Sequence, residues 1–413
     1  MPNLKYFDIV IAMGVKKSQE KLIEEVLTKQ IDKIYPSREA LEKVLKSGKK
    51  LTIYWGIDPT ASSLHIAHGA NLFILRRFQK LGHKIVVLLG DFTARIGDPT
   101  GKYKKRLPLT EKQVMQNLKY YKGQVLKILD SKKTVFKFNS EWWKKRSADF
   151  LLNLCGLITH QRLIEREMFQ KRISSGEPIT EKEILYPLLH GYDAVALETD
   201  AELGGSDQLF NMLVGRDLEK IILKKEKFVI TKPILANPKT GEMLMSKTSG
   251  GAIFISELPS QMFGKIMALP DEVIVECFRL CTDLPDEEVK KIELRLKSSE
   301  NPRDLKSELA YEIVKIYYGE KKAKEAEAEF KRVFGKHELP EKITKVAVKK
   351  GKCDIVGLLI ATKLVPSKGQ ARRLILENAV KIDGKVINDI KMKINVNPGL
   401  IVQVGKRHFV KVK

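Results

Sequence analysis

Apolar residues recur at helical spacing across residues 16–48, where Leu22, Ile23, Val26, Leu27 and Ile31 form one stripe of an amphipathic helix. The period then changes. Residues 51–57 are a short apolar run ending in a Gly-Ile-Asp-Pro turn, followed by a helical pattern over 66–80. A second apolar run, 85–90, breaks into a glycine-bearing loop at 90–106, and residues 134–138 form a third strand candidate. Between them Thr110 and Gln113 form a capping box that opens another helix.

Strands alternating with helices predict a parallel, helix-covered sheet of the Rossmann kind, with ligands at the carboxyl ends of the strands. The loops just named fall there. Beyond Ser256 the strand pattern fades into helices broken at Pro270, Pro285 and Pro302. Next comes a lysine-rich, weakly patterned linker. The chain closes on two helical pieces, 354–362 and 368–378, and two β-like runs, 379–388 and 400–412. Four parts are expected: a catalytic α/β domain over 1–255, a helical domain over 256–335, a linker over 336–350 and a small α+β domain over 351–413.

Composition narrows the class. The chain has 413 residues, 31% of them charged, and no run approaches the roughly 20 apolar residues of a membrane span. Acids stand among the N-terminal lysines and no apolar signal core follows, so a cytoplasmic location is expected. Four cysteines build no disulfide framework; Cys277 and Cys281, one helical turn apart, read as core thiols, with half a metal site as the alternative. A formal charge of +24 suits a polyanion, and residues 350–413 concentrate it, with eleven lysines and three arginines against four acids. The competing reading is a lysine-rich surface of a heat-adapted protein.

Two segments carry chemistry. Gly56-Ile57-Asp58-Pro59-Thr60 followed by His65-Ile66-Ala67-His68 puts two imidazoles on one face of a helix start, where an anion is already favoured. A zinc pair is the alternative use of those histidines. Met245-Ser246-Lys247-Thr248 with Gly250-Gly251 offers a lysine in a polar loop that can swing onto phosphates. Together they resemble the HIGH and KMSKS signatures of class I aminoacyl-tRNA synthetases. Ala67 replaces the glycine of the first, and Leu244 stands where the second usually has its first lysine.

Tyr54-Trp55-Gly56-Ile57-Asp58-Pro59-Thr60, Gly97-Asp98-Pro99-Thr100-Gly101-Lys102, Tyr186-Pro187-Leu188-Leu189-His190-Gly191-Tyr192-Asp193 and Gly204-Gly205-Ser206-Asp207-Gln208 resemble, in order, segments of bacterial tyrosyl-tRNA synthetases. The resemblance implies that Tyr54 and Asp193 read the phenolic hydroxyl of L-tyrosine. It implies that Asp98, Tyr186 and Gln208 hold the α-ammonium, with Asp58, Thr93, Asn139 and His190 beside them. His190 departs from the family's usual glutamine, which predicts a neutral imidazole or a rearranged pocket. For ATP it implies Gly56, Asp58, Thr60, His65, His68, Gly205 and Asp207, with Lys102, Arg106 and Lys247 reaching the pyrophosphate. Mg2+ accompanies ATP as its counter-ion, and no protein-held metal or organic cofactor is expected.

Pro366 to Ile375 and Val380 to Ile387 resemble the S4 RNA-binding domain, which implies that Lys368, Arg372 and Arg373 meet RNA phosphates. The expected activity is therefore tyrosine–tRNA ligation on tRNA(Tyr). The same resemblance implies a homodimer, with residues 150–175 as the expected interface. A tryptophan-specific relative and a non-catalytic RNA-binding relative are the alternatives. Tyr54 with Asp193 opposes the first, and the retained signature residues oppose the second.

Overall fold

The structure is a computed structural model and describes residues 18–100, 109–245, 251–298, 300–335, 343–348, 350–405 and 408–413; Lys102, Arg106 and Lys247 lie outside them. The chain divides into two compact units, one of residues 1–257 with 269–317, the other of 258–268 with 318–413. The helical stretch 256–335 is thus shared between the two.

Among its described residues the first unit holds six strands: β1 (Lys33–Tyr35), β2 (Thr52–Ile57), β3 (Lys84–Leu89), β4 (Thr134–Phe138), β5 (Ala201–Gly205) and β6 (Phe228–Lys232). Their order is β1-β6-β5-β2-β3-β4, all parallel except β1, which runs antiparallel to β6. The chain moves outward from β2 through β3 to β4, then returns to lay β5 on the other side of β2. The β2–β5 junction is therefore the topological switch point, where such sheets open a crevice for ligands.

Buried parallel strands read as continuous apolar runs, which is why β2, β3 and β4 lie within a residue of their expected places. Helix α1 (Gly69–Lys80) crosses from β2 to β3, α2 (Tyr186–Leu197) leads into β5, and α3 (Leu209–Leu223) joins β5 to β6. Gly191 of α2 and Gly215 of α3 bring these helices together, since a Cβ on Gly191 would lie 3.0 Å from the Gly215 nitrogen. Helix α4 (Ile274–Cys281) packs on α1 and buries Cys277 and Cys281 as free thiols.

The single helix expected over 16–48 is two helices with β1 between them. Ser37 caps the second, Arg38–Lys46, by accepting from the Ala40 N–H at 3.2 Å. The β1 segment pairs with β6, a partner far along the chain that outweighs local helical period.

In the second unit, helix Pro259–Met267 packs on Glu320–Gly335 through Phe263 and Phe330. The rest is β7 (Thr344–Val346), β8 (Gly351–Asp354), α5 (Ile355–Ala361), α6 (Lys368–Leu376), β9 (Val380–Ile382), β10 (Lys385–Ile387), β11 (Lys393–Val396), β12 (Ile401–Val404) and β13 (His408–Val412). A sheet of order β10-β9-β12-β13-β7 and the pair β8–β11 close over a core that includes Ile355, Leu358, Leu359, Ala371 and Ile375. Asp383 and Gly384 take the positive φ values, 45° and 82°, that a two-residue hairpin between β9 and β10 requires. Part of the expected linker is a strand instead, because β7 pairs in parallel with β13.

Candidate active site

A cavity of about 860 Å³ opens at the carboxyl ends of β2 and β5. Of the expected tyrosine and ATP residues that the structure describes, Asn139 alone does not line it.

At the deep end Tyr54 and Asp193 are 1% and 5% exposed. The Asp193 carboxylate accepts from the indole N–H groups of Trp142 (2.9 Å) and Trp143 (3.0 Å) on Oδ1 and from the Asn139 amide (3.0 Å) on Oδ2. Burial nevertheless lifts its pKa to about 7. The Tyr54 hydroxyl has no hydrogen-bond partner, and burial together with the charge of Glu202 raises its pKa. A buried phenol and a carboxylate with oxygen capacity to spare, both lining the closed end, offer a site for one more hydroxyl group.

Asn139 was expected among supports of the ammonium. It sits instead between the two ends, donating to Asp193 and, at 2.9 Å, to Thr93 Oγ1. Thr93 donates to Asp58 Oδ1 at 2.7 Å and the Tyr186 hydroxyl to Oδ2 at 3.0 Å. Burial raises Asp58 to about 6. Gly90 leaves room for this pair, since a Cβ there would fall 2.0 Å from Asp58 Oδ1. Nearby, Asp98 accepts from the Thr100 N–H at 2.9 Å and from Gln208 at 2.8 Å, while Asn211 fixes the other end of the Gln208 amide. Two carboxylates, a phenol and an amide converge on a volume suited to an ammonium group.

His190 is turned away from that role. Its Nε2 lies 2.7 Å from Glu202 Oε1, and Lys227 Nζ lies 2.5 Å from Oε2. Burial alone would lower the His190 pKa, but Glu202 outweighs it and the net shift is upward. Burial would raise Glu202, but Lys227 and His190 hold it at about 2. The His190 ring nitrogen Nε2 is therefore engaged by Glu202. Glu202, Lys227, Trp142 and Trp143 were not anticipated. Their signal was a charged residue inside an apolar strand, Ala201-Glu202-Leu203, and a tryptophan pair just after β4.

At the open end His65 and His68 stack with ring centroids 3.7 Å apart. The His65 backbone N–H donates to His68 Nδ1 at 3.1 Å, which leaves Nε2 of His68 as the protonated nitrogen of its neutral form. Both rings stand at the start of the turn that becomes α1. Among the described residues no group of three or more His, Cys, Asp or Glu could hold a metal ion, so the zinc alternative has no completed site there. Gly205 ends β5 and Asp207 follows it, and a Cβ on Gly205 would meet Asp207 Oδ1 at 2.3 Å.

The family described as tRNA synthetases class I (W and Y) matches residues 46–335, and the tyrosine–tRNA ligase SYY-like C-terminal domain matches 336–412. A tyrosine–tRNA ligase of Thermotoga maritima is 40% identical over 94% of this chain and 96% of its own length. The chain belongs to this family. A Moorella thermoacetica tyrosine–tRNA ligase is 41% identical over 94% of each chain. The fold is also that of a truncated Aspergillus nidulans mitochondrial tyrosyl-tRNA synthetase. That structure gives a TM-score of 0.60 at 22% identity, over 78% of this chain and all of the other. The paired carboxylates and the buried Tyr54–Asp193 end line one and the same cavity. On α6 of the second unit, Lys368, Arg372 and Arg373 are exposed while Ala371 and Ile375 face the core.

Proposed function

We propose that the chain activates L-tyrosine with ATP and esterifies it onto tRNA(Tyr). The observation that supports this best is the unpartnered Tyr54 hydroxyl beside Asp193 at the closed end of a pocket whose other end gathers Asp58, Asp98, Tyr186 and Gln208. The phenolic hydroxyl fills the first gap and the α-ammonium the second, which directs the carboxylate toward His65, His68 and Asp207.

A carboxylate oxygen of tyrosine attacks the α-phosphorus in line. The bond from that phosphorus to the bridging oxygen breaks, and pyrophosphate leaves with its electron pair. No protein nucleophile is needed, so the protein contributes position and donors that meet developing charge. His68 Nε2–H is such a donor, and Lys102, Arg106 and Lys247 are assigned to the pyrophosphate. Mg2+ enters with ATP as part of the substrate. A ribose hydroxyl of the terminal adenosine of tRNA then attacks the tyrosyl carbonyl and AMP departs.

On this reading residues 1–255 are the catalytic part, 256–335 the anticodon side, and 351–413 bind tRNA through Lys368, Arg372 and Arg373. The working form is a cytoplasmic homodimer with residues 150–175 at its interface. The test is exchange of labelled pyrophosphate into ATP without tRNA. Exchange with tyrosine but not phenylalanine or tryptophan is expected. Exchange driven by another amino acid overturns the pocket assignment, and none at all overturns adenylate formation.

A further inference from the structure

Lys232, the last residue of β6, is 7% exposed and lines the cavity together with Asp207, Leu235, Leu244 and Met245. Among the described residues, the one hydrogen bond its ammonium makes is to the carbonyl of the adjoining Pro233, at 3.2 Å. Two of three donors are left over. Asp207 is its nearest acidic support, yet the two form no ion pair within 4.0 Å.

A buried ammonium that served the fold alone would be paired, because an unmatched buried charge is strongly unfavourable. Lys227 at the foot of the same strand illustrates this, locked onto Glu202 at 2.5 Å. Lys232 instead presents its charge to the cavity. Among the described lining residues it is the one lysine or arginine, against Asp58, Asp98, Asp193, Glu202 and Asp207. A polyanionic nucleotide entering so acidic a wall needs a cation there, and at Leu244 the signature segment offers an apolar side chain.

We propose that Lys232 is a nucleotide-binding residue whose ammonium takes the sugar and α-phosphate of ATP beside Asp207. This rests on the adenylate-forming reading above and adds to it a contact that supplies the positive charge Leu244 does not.

Lys232→Met keeps the aliphatic stem and removes the charge. The Michaelis constant for ATP in tyrosine-dependent exchange is expected to rise about tenfold, the weight of one charge-assisted hydrogen bond. The constant for tyrosine should stay as in the wild type, and the unfolding temperature should not fall, because an unmatched buried charge is removed. An unchanged ATP constant overturns the proposal. So does a parallel rise in both constants with a lowered unfolding temperature, which marks Lys232 as a structural support only. Should the variant not fold, the wild type answers directly, through labelling with periodate-oxidised ATP and borohydride. The dialdehyde sits on the ribose, so Lys232 is expected to carry the label, and excess ATP to prevent it. Label absent from Lys232 overturns the assignment. Wild-type protein without exchange fails the adenylate reading itself, and labelling still decides Lys232.

Discussion

Replacing Lys227 with methionine tests whether the charged cluster behind Tyr54 is a unit. Lys227 and Glu202 are 0% and 2% exposed, and Lys227 Nζ also lies 5.4 Å from the centroid of the Tyr54 ring. Methionine retains the bulk of the stem, so no large cavity forms. What remains is a carboxylate in the protein interior that keeps its contact with His190 beside the Tyr54 hydroxyl. Removing one member of a buried pair destabilises by about 3–5 kcal/mol, and the remaining His190 contact places this case near the lower end. A loss of about 3 kcal/mol lowers the unfolding temperature by roughly 6–12 °C. Adding Glu202→Gln removes the stranded charge, so the double variant should be more stable than Lys227→Met alone by about 1 kcal/mol or more. Thermal and urea unfolding followed by circular dichroism measure all three. A single variant within about 1 kcal/mol of wild type, or two substitutions whose effects simply add, refutes the reasoning.

Three further expectations concern the site and its surroundings. Asp58, lifted to about 6, must be ionised to hold an ammonium, so tyrosine affinity should fall as pH drops through 6, by up to tenfold per pH unit; a flat profile of the tyrosine Michaelis constant from pH 7.5 to 5 contradicts this. Glu219 is fully buried with both carboxyl oxygens unpartnered, and burial raises its pKa to about 7. Its folded value exceeds the unfolded one, so its contribution to stability is complete below pH 4.5 and lost as pH rises through 7. Glu219→Gln should therefore gain on wild type by about 2–3 kcal/mol more at pH 8 than at pH 5, read from urea unfolding at both. Alanine at both Arg372 and Arg373 should weaken tRNA binding and reduce the salt slope of its affinity by about 2 while leaving pyrophosphate exchange unchanged; altered exchange argues against a separate RNA-binding role.

The sheet was legible where apolar runs are bounded by turn residues, as in the buried β2 and β3 and the partly buried edge strand β4. β1 was not, because Lys33-Ile34-Tyr35 fits a helical stripe as well as a strand and its pairing partner Val229–Thr231 is nearly 200 residues away. Pro36 and Ser37 were the local warning, a helix break followed by a cap. In the site, Asp58 and Asp207, which follow a strand end within two residues, and Asp98, in the loop after β3, were readable from their turns. The partners that set their chemistry were not. Trp142 and Trp143 reach Asp193 across about 50 residues, and Lys227 reaches Glu202 from the next strand. Such pairings depend on topology, which local pattern does not carry. His190 shows the consequence: read against its neighbours in sequence it belongs to the ammonium group, and only the position of Glu202 explains where it turns.

The stretch from Glu202 to Gln208 touches both ends of the cavity proposed to take the amino acid. Its first residue stands behind Tyr54 and its last grips Asp98, with the nucleotide-side Asp207 just before it. β5 is thus a gauge block. The span between where a substrate's ring must stop and where its carboxylate must begin is set by a strand that cannot slip by one residue without reversing every side chain on it. Substrate preference in this scaffold can drift by exchanging groups at the closed end. It cannot drift by stretching the pocket, so a longer amino acid would gain entry only by displacing Asp193 and the Asn139, Trp142 and Trp143 donors that hold it from behind.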